Sequence, residues 1–506
     1  MGSKDIFSSI SNVYFVGIKG TGVCALAELM HDSGIKVSGS DIPEVFYTDA
    51  ILNDLNITFF EDFDAAHITD NIDLVIYSAA YSAETNAELK KAGELNIPLL
   101  KYTDALGAWS KKFDSTGVCG VHGKTTTTAI CGVLARAAGL AAQVLAGSAA
   151  LDFNGRSTLV LGKKYFIAET CEYRKHFLSF SPARIILTAV ESDHQDYFPD
   201  YSSILDAFVQ YCRLLPKGGQ LIYCADDKGA SEVADIIRND AKGIELIPYG
   251  FTALGDFKIN SYKIINETAV FSLNGIPGDI VMRIPGRHEA LNAAAGLALT
   301  AALIQNENSG ADKKNNEAFE ESLFNEDQIK SIKNALLNFK SAKRRSEIIG
   351  EACGIIFMDD YGHHPTAIKT TLEGIKSFYP KRRLIVSFMS HTYTRTSALL
   401  NEFAQCFNEA DIVFFHKIYA SAREDYKGGV NGRTLYERSK AARNAAGKDE
   451  THYYDEIYDT FEPLCTILKE GDIFLTLGAG NNWPLGEKLL DHFRRINSEN
   501  AGEKND

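Results

Sequence analysis

Gly120-Val121-His122-Gly123-Lys124-Thr125-Thr126 puts a lysine and a hydroxyl directly after a glycine-rich turn. Between a strand and a helix, such a turn aims backbone N–H groups and the positive end of the helix at phosphate oxygens. Lys124 suits the outer phosphates of a nucleotide, and the Thr125 hydroxyl suits a Mg²⁺ ion that bridges them. Val118 stands where the longer phosphate-loop pattern has its first glycine, so only Gly-x-x-Gly-Lys-Thr is present. The apolar segment before the turn, the helical pattern of residues 129–135 after it and the run Thr125 to Thr128 favour ATP over a plain turn.

Other clusters could work beside it. Glu169 follows the apolar run Phe166-Ile167-Ala168, with Glu172 three residues on, and Asp193, His194 and Asp196 follow residues 185–190. If those two runs are neighbouring strands, Glu169 and His194 emerge at the carboxyl edge where open α/β sheets bind ligands. A carboxylate and an imidazole there can complete a Mg²⁺ site built on phosphates. A second glycine turn, Gly17-Ile18-Lys19-Gly20-Thr21-Gly22, follows the first strand, and Ser40-Asp41 follows the second. Lys19 occupies the third position, where the dinucleotide fingerprint needs glycine, so the NAD signal is weak. The same turn can hold any nucleoside diphosphate, with Lys19 adding charge near the pyrophosphate. Further along stand Asp359-Asp360-Tyr361-Gly362-His363-His364-Pro365, the pair Arg344-Arg345, and His391-Thr392-Tyr393-Thr394-Arg395. The arginines suit carboxylates and phosphates. A transition-metal site at His363-His364 is disfavoured, because adjacent side chains point apart.

The elements that must position these groups read as α/β throughout. Strand-like runs at 13–16, 72–77 and 97–100 alternate with helices up to a boundary near Gly107. The central segment begins as α/β, then carries close-set β-rich runs at 268–273 and 279–282 that predict a small antiparallel sheet. A buried helix follows at 289–297, and a polar surface insert is expected from Asn306 to about Asp327. Apolar runs at 354–358, 384–388, 412–415 and 473–476 restart the α/β rhythm, and the last ten residues read as an unstructured tail. Three domains follow: 1–107, 108–340 and 341–506.

Composition narrows the class. The 506 residues exceed one core, and a net charge of −14 argues against a general nucleic-acid or anionic-membrane binder. No apolar run is long enough to span a bilayer, and no export signal is expected at the N-terminus. The nine cysteines form no Cys-x-x-Cys pair, which fits free thiols in a reducing compartment. No Ser-His-Asp or reactive-cysteine arrangement stands out.

Taken in order, these motifs, with Glu172 to Leu178 and Gly286-Arg287-His288-Glu289-Ala290-Leu291-Asn292-Ala293, make the chain resemble the Mur ligases over nearly its whole length. The resemblance is to the branch that joins L-alanine to the lactyl carboxylate of UDP-N-acetylmuramate through an acyl phosphate. It implies a Rossmann-like N-terminal domain for the UDP substrate, a central P-loop-like ATPase domain and a Rossmann-like C-terminal domain for the amino acid. By this likeness Gly20, Thr21, Gly22, Ser40, Asp41 and Ser78 bind the UDP substrate. Gly120, Val121, His122, Gly123, Lys124, Thr125, Thr126, Asn292, Arg345 and Asp360 bind ATP. Thr125, Glu169 and His194 hold Mg²⁺, and His391 and Arg395 receive L-alanine. Lys124, Glu169, His194, His391 and Arg395 are the expected catalytic group. A bacterial cytoplasmic enzyme, monomer or homodimer, is implied. Residues 201–208 lack the lysine that some relatives carbamylate, Ser346 stands where many have Phe, Met389-Ser390 replaces Gln-Pro, and Thr392 replaces a second Arg. The competing readings are a ligase that adds a murein tripeptide to the same sugar nucleotide, an NAD-dependent dehydrogenase, and a non-catalytic nucleotide-binding protein.

Overall fold

Strands separated by helices can pair in parallel only if each helix carries the chain back across the sheet. The computed structural model, which describes residues 6–195, 197–240, 242–310, 323–420, 426 and 428–502, shows this three times. In the N-terminal domain the parallel strands Thr58–Phe60, Lys36–Ser40, Asn12–Val16, Leu74–Tyr77 and Leu99–Lys101 lie side by side in that order. Val13 and Phe15 face one apolar cluster while Tyr14 and Val16 face another, the alternation expected of a strand covered on both faces. Gly107 lies within the helix Tyr102–Ser110. That helix docks on the central domain: Trp109 is buried, meets Phe7 edge-on at 5.3 Å and donates its indole N–H to Gln143 Oε1 at 3.2 Å.

The central sheet runs Glu245–Tyr249, Gln220–Cys224, Arg184–Leu187, Asp114–Cys119, Tyr165–Glu169, Ala142–Ala150, Arg156–Val160, parallel except for the last strand. Helices Lys124–Ala137 and Arg287–Gly310 pack together on one face, Ile130 and Leu134 sharing a cluster with Ala293 and Leu297. The expected antiparallel patch is there, as Ile259–Ile264, Ala269–Leu273 and Ile276–Met282. The C-terminal sheet orders Glu347–Ala352, Ile355–Asp360, Asp472–Leu477, Arg383–Phe388, Ile412–Phe415 and Thr451–Tyr453, with only the first strand antiparallel.

Some expectations need correction. The strands ending at Glu169 and Leu187 are not neighbours; the strand Asp114–Cys119 lies between them. The polar stretch from Asn306 begins as the last turn of the helix Arg287–Gly310 and ends in the helix Glu326–Leu337, which buries Ile332 and Leu336; residues 311–322 lie outside the described residues. The final residues continue the helix Trp483–Gly502, anchored by buried Leu485, Leu489, Leu490 and Phe493; only 503–506 lie outside the described residues. Four strands had no strong β signature: Ala142–Ala150 is rich in small residues, and Arg156–Val160, Glu347–Ala352 and Thr451–Tyr453 are short or polar edge segments. No helix among the described residues is long and apolar enough to cross a membrane.

Candidate active site

The central sheet delivers three loops to one carboxyl edge. Strand Asp114–Cys119 runs into the glycine turn, and its two neighbours lead to Glu169 on one side and to Asp193 and His194 on the other. The phosphate-loop strand therefore sits between the two acid–imidazole arms. Gly123, at the helix N-cap, has φ of 78°, a left-handed conformation that favours glycine. In the helix it opens, Lys124 is followed by four threonines, which are β-branched and weak helix formers. Tertiary partners compensate. Thr125 Oγ1 donates to Glu169 Oε2 at 2.8 Å, Thr127 Oγ1 to Asn292 Oδ1 at 3.1 Å and Thr128 Oγ1 to the Lys124 carbonyl at 2.9 Å. Thr126 is buried beside the cleft. Glu169 Oε2 also accepts from Gly147 N at 2.7 Å, and a Cβ on Gly147 would sit 2.3 Å from that oxygen, so no larger residue fits without displacing the carboxylate.

Lys124 Nζ folds over its own turn, donating to the Gly120 carbonyl at 2.6 Å, and lies 3.0 Å from Glu172 Oε2. His194 Nε2 lies 3.3 Å from Glu172 Oε1. Glu172, only 1% exposed, is thus the carboxylate that joins lysine and histidine. Burial alone would lower the Lys124 pKa and raise that of Glu172. Their attraction outweighs it: Lys124 is held above its usual value and Glu172, helped by His194, below its own. His194 has φ of 54°, an uncommon conformation for a non-glycine residue. Asp196 lies outside the described residues.

The C-terminal domain reaches into the same place. Arg395, 7% exposed, sets Nε and Nη2 each 3.0 Å from Asp193 Oδ1 and Nη1 3.4 Å from His391 Nδ1. Burial would raise the Asp193 pKa, but Arg395 and His194 hold it well below the usual carboxylate range. Thr392, between them in sequence, has φ of 69°, which is costly for a β-branched residue and marks a tightly held turn. The two upstream arginines differ. Both line the cleft beside the Tyr361 ring, at 5.1 and 5.2 Å, but Arg344 is also committed to Asp359 at 2.8 Å and the Gly478 carbonyl at 2.7 Å. Asp360 accepts from Ser346 N and Gly362 N, each at 2.7 Å, and so fixes the turn that carries Arg345. Asn292 also donates to Glu289 at 3.2 Å.

The N-terminal domain contributes Thr21 and Tyr47 to the cleft wall. Asp41 braces the first glycine turn, accepting from Lys19 N at 2.7 Å and from the Tyr81 hydroxyl at 3.2 Å. Ser40 is fully buried, with its hydroxyl on Glu88. Ser78 accepts from Ala80 N at 3.3 Å, and Gly20 and Gly22 flank Thr21 at the helix start. Lys19 does not extend toward a ligand as expected: it is 1% exposed, and its Nζ is 3.1 Å from Asp49 and 2.9 Å from Glu61. Residues of all three domains enclose one cleft of about 1380 Å³, larger than a typical small-molecule pocket of roughly 300–1,000 Å³.

This architecture matches known proteins from end to end. Family models match in three successive blocks: the Mur ligase family catalytic domain over residues 12–114, the Mur ligase middle domain over 118–300, and the Mur ligase glutamate ligase domain over 344–480. The UDP-N-acetylmuramate–L-alanine ligase of Treponema pallidum is 45% identical over 482 residues, covering 95% of this chain and 96% of the relative. The enzyme of the same name from Borrelia garinii subsp. bavariensis is 39% identical over 486 residues, covering 96% and 99%.

The chain belongs to the Mur ligase family.

Mur ligases are ATP-dependent ligases, so the protein is an enzyme of that kind. Its fold also superimposes on the crystal structure of UDP-N-acetylmuramate-alanine ligase MurC from Thermotoga maritima with a TM-score of 0.72 at 23% identity, covering 96% of this chain and 99% of that one. Sequence reasoning missed three contacts of this Mur ligase: the Glu172 bridge, the Asp193–Arg395 pair between domains, and Gly147 under Glu169. Glu172 was visible as an acid near Glu169, but nothing local says which of two nearby carboxylates meets the lysine.

Proposed function

We propose that this Mur ligase joins L-alanine to the lactyl carboxylate of UDP-N-acetylmuramate, with release of ADP and phosphate, in bacterial cytoplasmic peptidoglycan precursor synthesis. The observation that carries the proposal is convergence. The phosphate loop, the Glu169 and His194 arms and the His391–Arg395 pair meet in one cleft that also reaches the N-terminal glycine turn. Identity of 39–45% to ligases of that name points the same way.

A carboxylate is a poor acyl donor because oxide is a poor leaving group. Transfer of the γ-phosphoryl group of ATP to the lactyl carboxylate oxygen, with ADP departing, makes an acyl phosphate. The alanine amine then attacks the acyl carbon, phosphate leaves, and the amine proton passes to solvent. In this reading Lys124 leaves Glu172 and pairs with the phosphoryl oxygens during transfer. Gly120, Val121, His122, Gly123, Thr125 and Thr126 cradle the phosphates, and Asn292, Arg345 and Asp360 shape the rest of the nucleotide site. Thr125, Glu169 and His194 would hold Mg²⁺: a hydroxyl 2.8 Å from a carboxylate, with an imidazole across the loop, is a donor set that fits the ion once phosphate oxygens join it. Bound there, Mg²⁺ supplies positive charge to the phosphate oxygens. Arg395 exchanges Asp193 for the alanine carboxylate, with His391 beside it. Gly20, Thr21, Gly22, Asp41 and Ser78 form the wall for the UDP group, with Ser40 acting from behind it through Glu88.

The test is sustained, multiple-turnover ADP release that needs both UDP-N-acetylmuramate and L-alanine. Multiple-turnover release without alanine, beyond the single equivalent that acyl phosphate formation gives, or greater turnover with L-alanyl-γ-D-glutamyl-meso-diaminopimelate as the amine, overturns the reading. Arg395→Ala should raise the alanine KM by at least about 30-fold, the effect of losing about 2 kcal/mol from a charge-assisted contact, with the ATP KM little changed; an effect on ATP alone removes Arg395 from the alanine pocket.

A further inference from the structure

His363 and His364 do point apart, and the direction taken by His364 is informative. His363 Nδ1 lies 3.0 Å from the Tyr361 carbonyl. His364, 5% exposed, turns to the central domain, where its Nδ1 lies 3.6 Å from Glu191 Oε1. The same oxygen touches His122 Nε2, and the two imidazole centroids are 5.2 Å apart. One donor atom from each of the three residues lies within 4.8 Å of the other two. Glu191 Oε2 meanwhile accepts from Thr366 Oγ1 at 3.0 Å, which steadies the carboxylate from the C-terminal side.

Tetrahedral Zn²⁺ holds nitrogen and oxygen ligands at about 2.0–2.2 Å, which spaces those ligands about 3.3–3.6 Å apart. Glu191 and His364 are nearly at that spacing, the tight His122–Glu191 contact must lengthen, and no separation need contract by more than about 1.5 Å. Two imidazoles and a carboxylate with a fourth position left for water is a donor set for Zn²⁺ rather than Mg²⁺, which prefers oxygen. His364 Nδ1 holds only a long 3.4 Å contact from Thr366 N, which a bound ion would replace.

We propose that His122, Glu191 and His364 form a transition-metal site of the Zn²⁺ class that staples the C-terminal domain to the central domain. Two ligands come from the loops at the phosphate-binding edge and the third from the N-cap of the helix Pro365–Phe378. A bound ion therefore holds the two domains in the mutual arrangement seen here and slows the separation that product release requires. This goes beyond the ligase reading, and its test does not depend on turnover.

Co²⁺ serves as the probe, added to the full chain in excess Mg²⁺, which occupies the oxygen-rich position near Thr125 and Glu169. One equivalent should produce the intense visible absorption of tetrahedral Co²⁺, and Zn²⁺ should bleach it. His364→Gln and Glu191→Gln should each weaken binding by more than about 100-fold, the upper end of what loss of a supporting residue costs at a metal site. His364 also caps a helix, so Glu191→Gln, which keeps size and an acceptor for Thr366, guards against a folding defect. His194→Gln and Cys171→Ser, at other donors in the cleft, should leave the band intact. Absence of the band, its survival in both His364→Gln and Glu191→Gln, or its loss in His194→Gln or Cys171→Ser overturns the proposal.

Discussion

Two glycine turns in this molecule share one local design and have opposite outcomes. Gly17 to Gly22 and Gly120 to Lys124 each follow a strand, each open a helix, and each contain a lysine. In the first, Lys19 is buried beneath the turn, paired with Asp49 and Glu61 of its own domain and 5.2 Å from the Phe59 ring centroid. In the second, Lys124 lies at the cleft, paired with a Glu172 that also holds His194. The difference lies in the counter-charge. Lys19 is neutralised by groups that lock its own domain, so it supports the turn from behind. Lys124 is neutralised inside the cleft, where phosphate oxygens can replace the carboxylate.

The comparison can be broken most directly at the lysines. Lys124→Ala should lower turnover by about 10³-fold or more, as loss of a phosphoryl-stabilising cation does, while UDP-substrate binding measured by calorimetry stays near wild type. Equal loss of both would mean that the two turns do not divide the work. Lys19→Met should do the reverse. It leaves the partly buried Asp49 without its cation and should cost about 2–3 kcal/mol of stability, below the range for a fully buried pair because Asp49 is only partly buried and Glu61 reaches solvent. Denaturant unfolding checks this, and turnover of the folded fraction should barely change.

The glycines sharpen the contrast further. Gly123→Ala forces a left-handed residue and brings a Cβ to 2.9 Å from Asn292 Oδ1, so a loss of about 1–2 kcal/mol is expected. Gly20 has φ of −61° and its nearest neighbour to a Cβ would be 3.4 Å away, so Gly20→Ala should stay within about 0.5 kcal/mol by the same unfolding measurement. The smallest effect concerns pH. Glu172 has a folded-state pKa below the usual 4.5, so its ionised form contributes stability that is complete above that pH and fades as pH falls through the folded value. Glu172→Gln mimics the protonated form. The Tm gap between wild type and variant should therefore shrink from about pH 6 to about pH 3; a constant gap would show that Glu172 titrates alike in folded and unfolded chains.

Much of the fold was legible because it is written in short-range patterns. The runs at 384–388 and 412–415 are strands, and the β-rich runs at 268–273 and 279–282 are an antiparallel pair. The tail was not legible: Leu485, Leu489, Leu490 and Phe493 anchor its helix upstream, and polar residues simply continue it. At the cleft, Lys124, Thr125, Glu169 and His194 could be picked out because each stands just after a strand or turn. The linkage through Glu172 could not, because it depends on how the loop after Glu169 folds back.

The sequence by itself determined the strand–turn–helix units, the three-part α/β rhythm and which side chains stand at strand ends. These follow from hydrophobic periodicity and turn chemistry, which act over a few residues. Tertiary structure alone decided that the phosphate-loop strand lies between its two partners, that Lys19 is spent on its own domain, and that Arg395 meets an aspartate 202 residues away. Charge pairing is not local in the chain: a lysine or arginine takes whichever carboxylate the assembled sheets and docked domains bring within about 3–4 Å, and only the folded packing sets that distance.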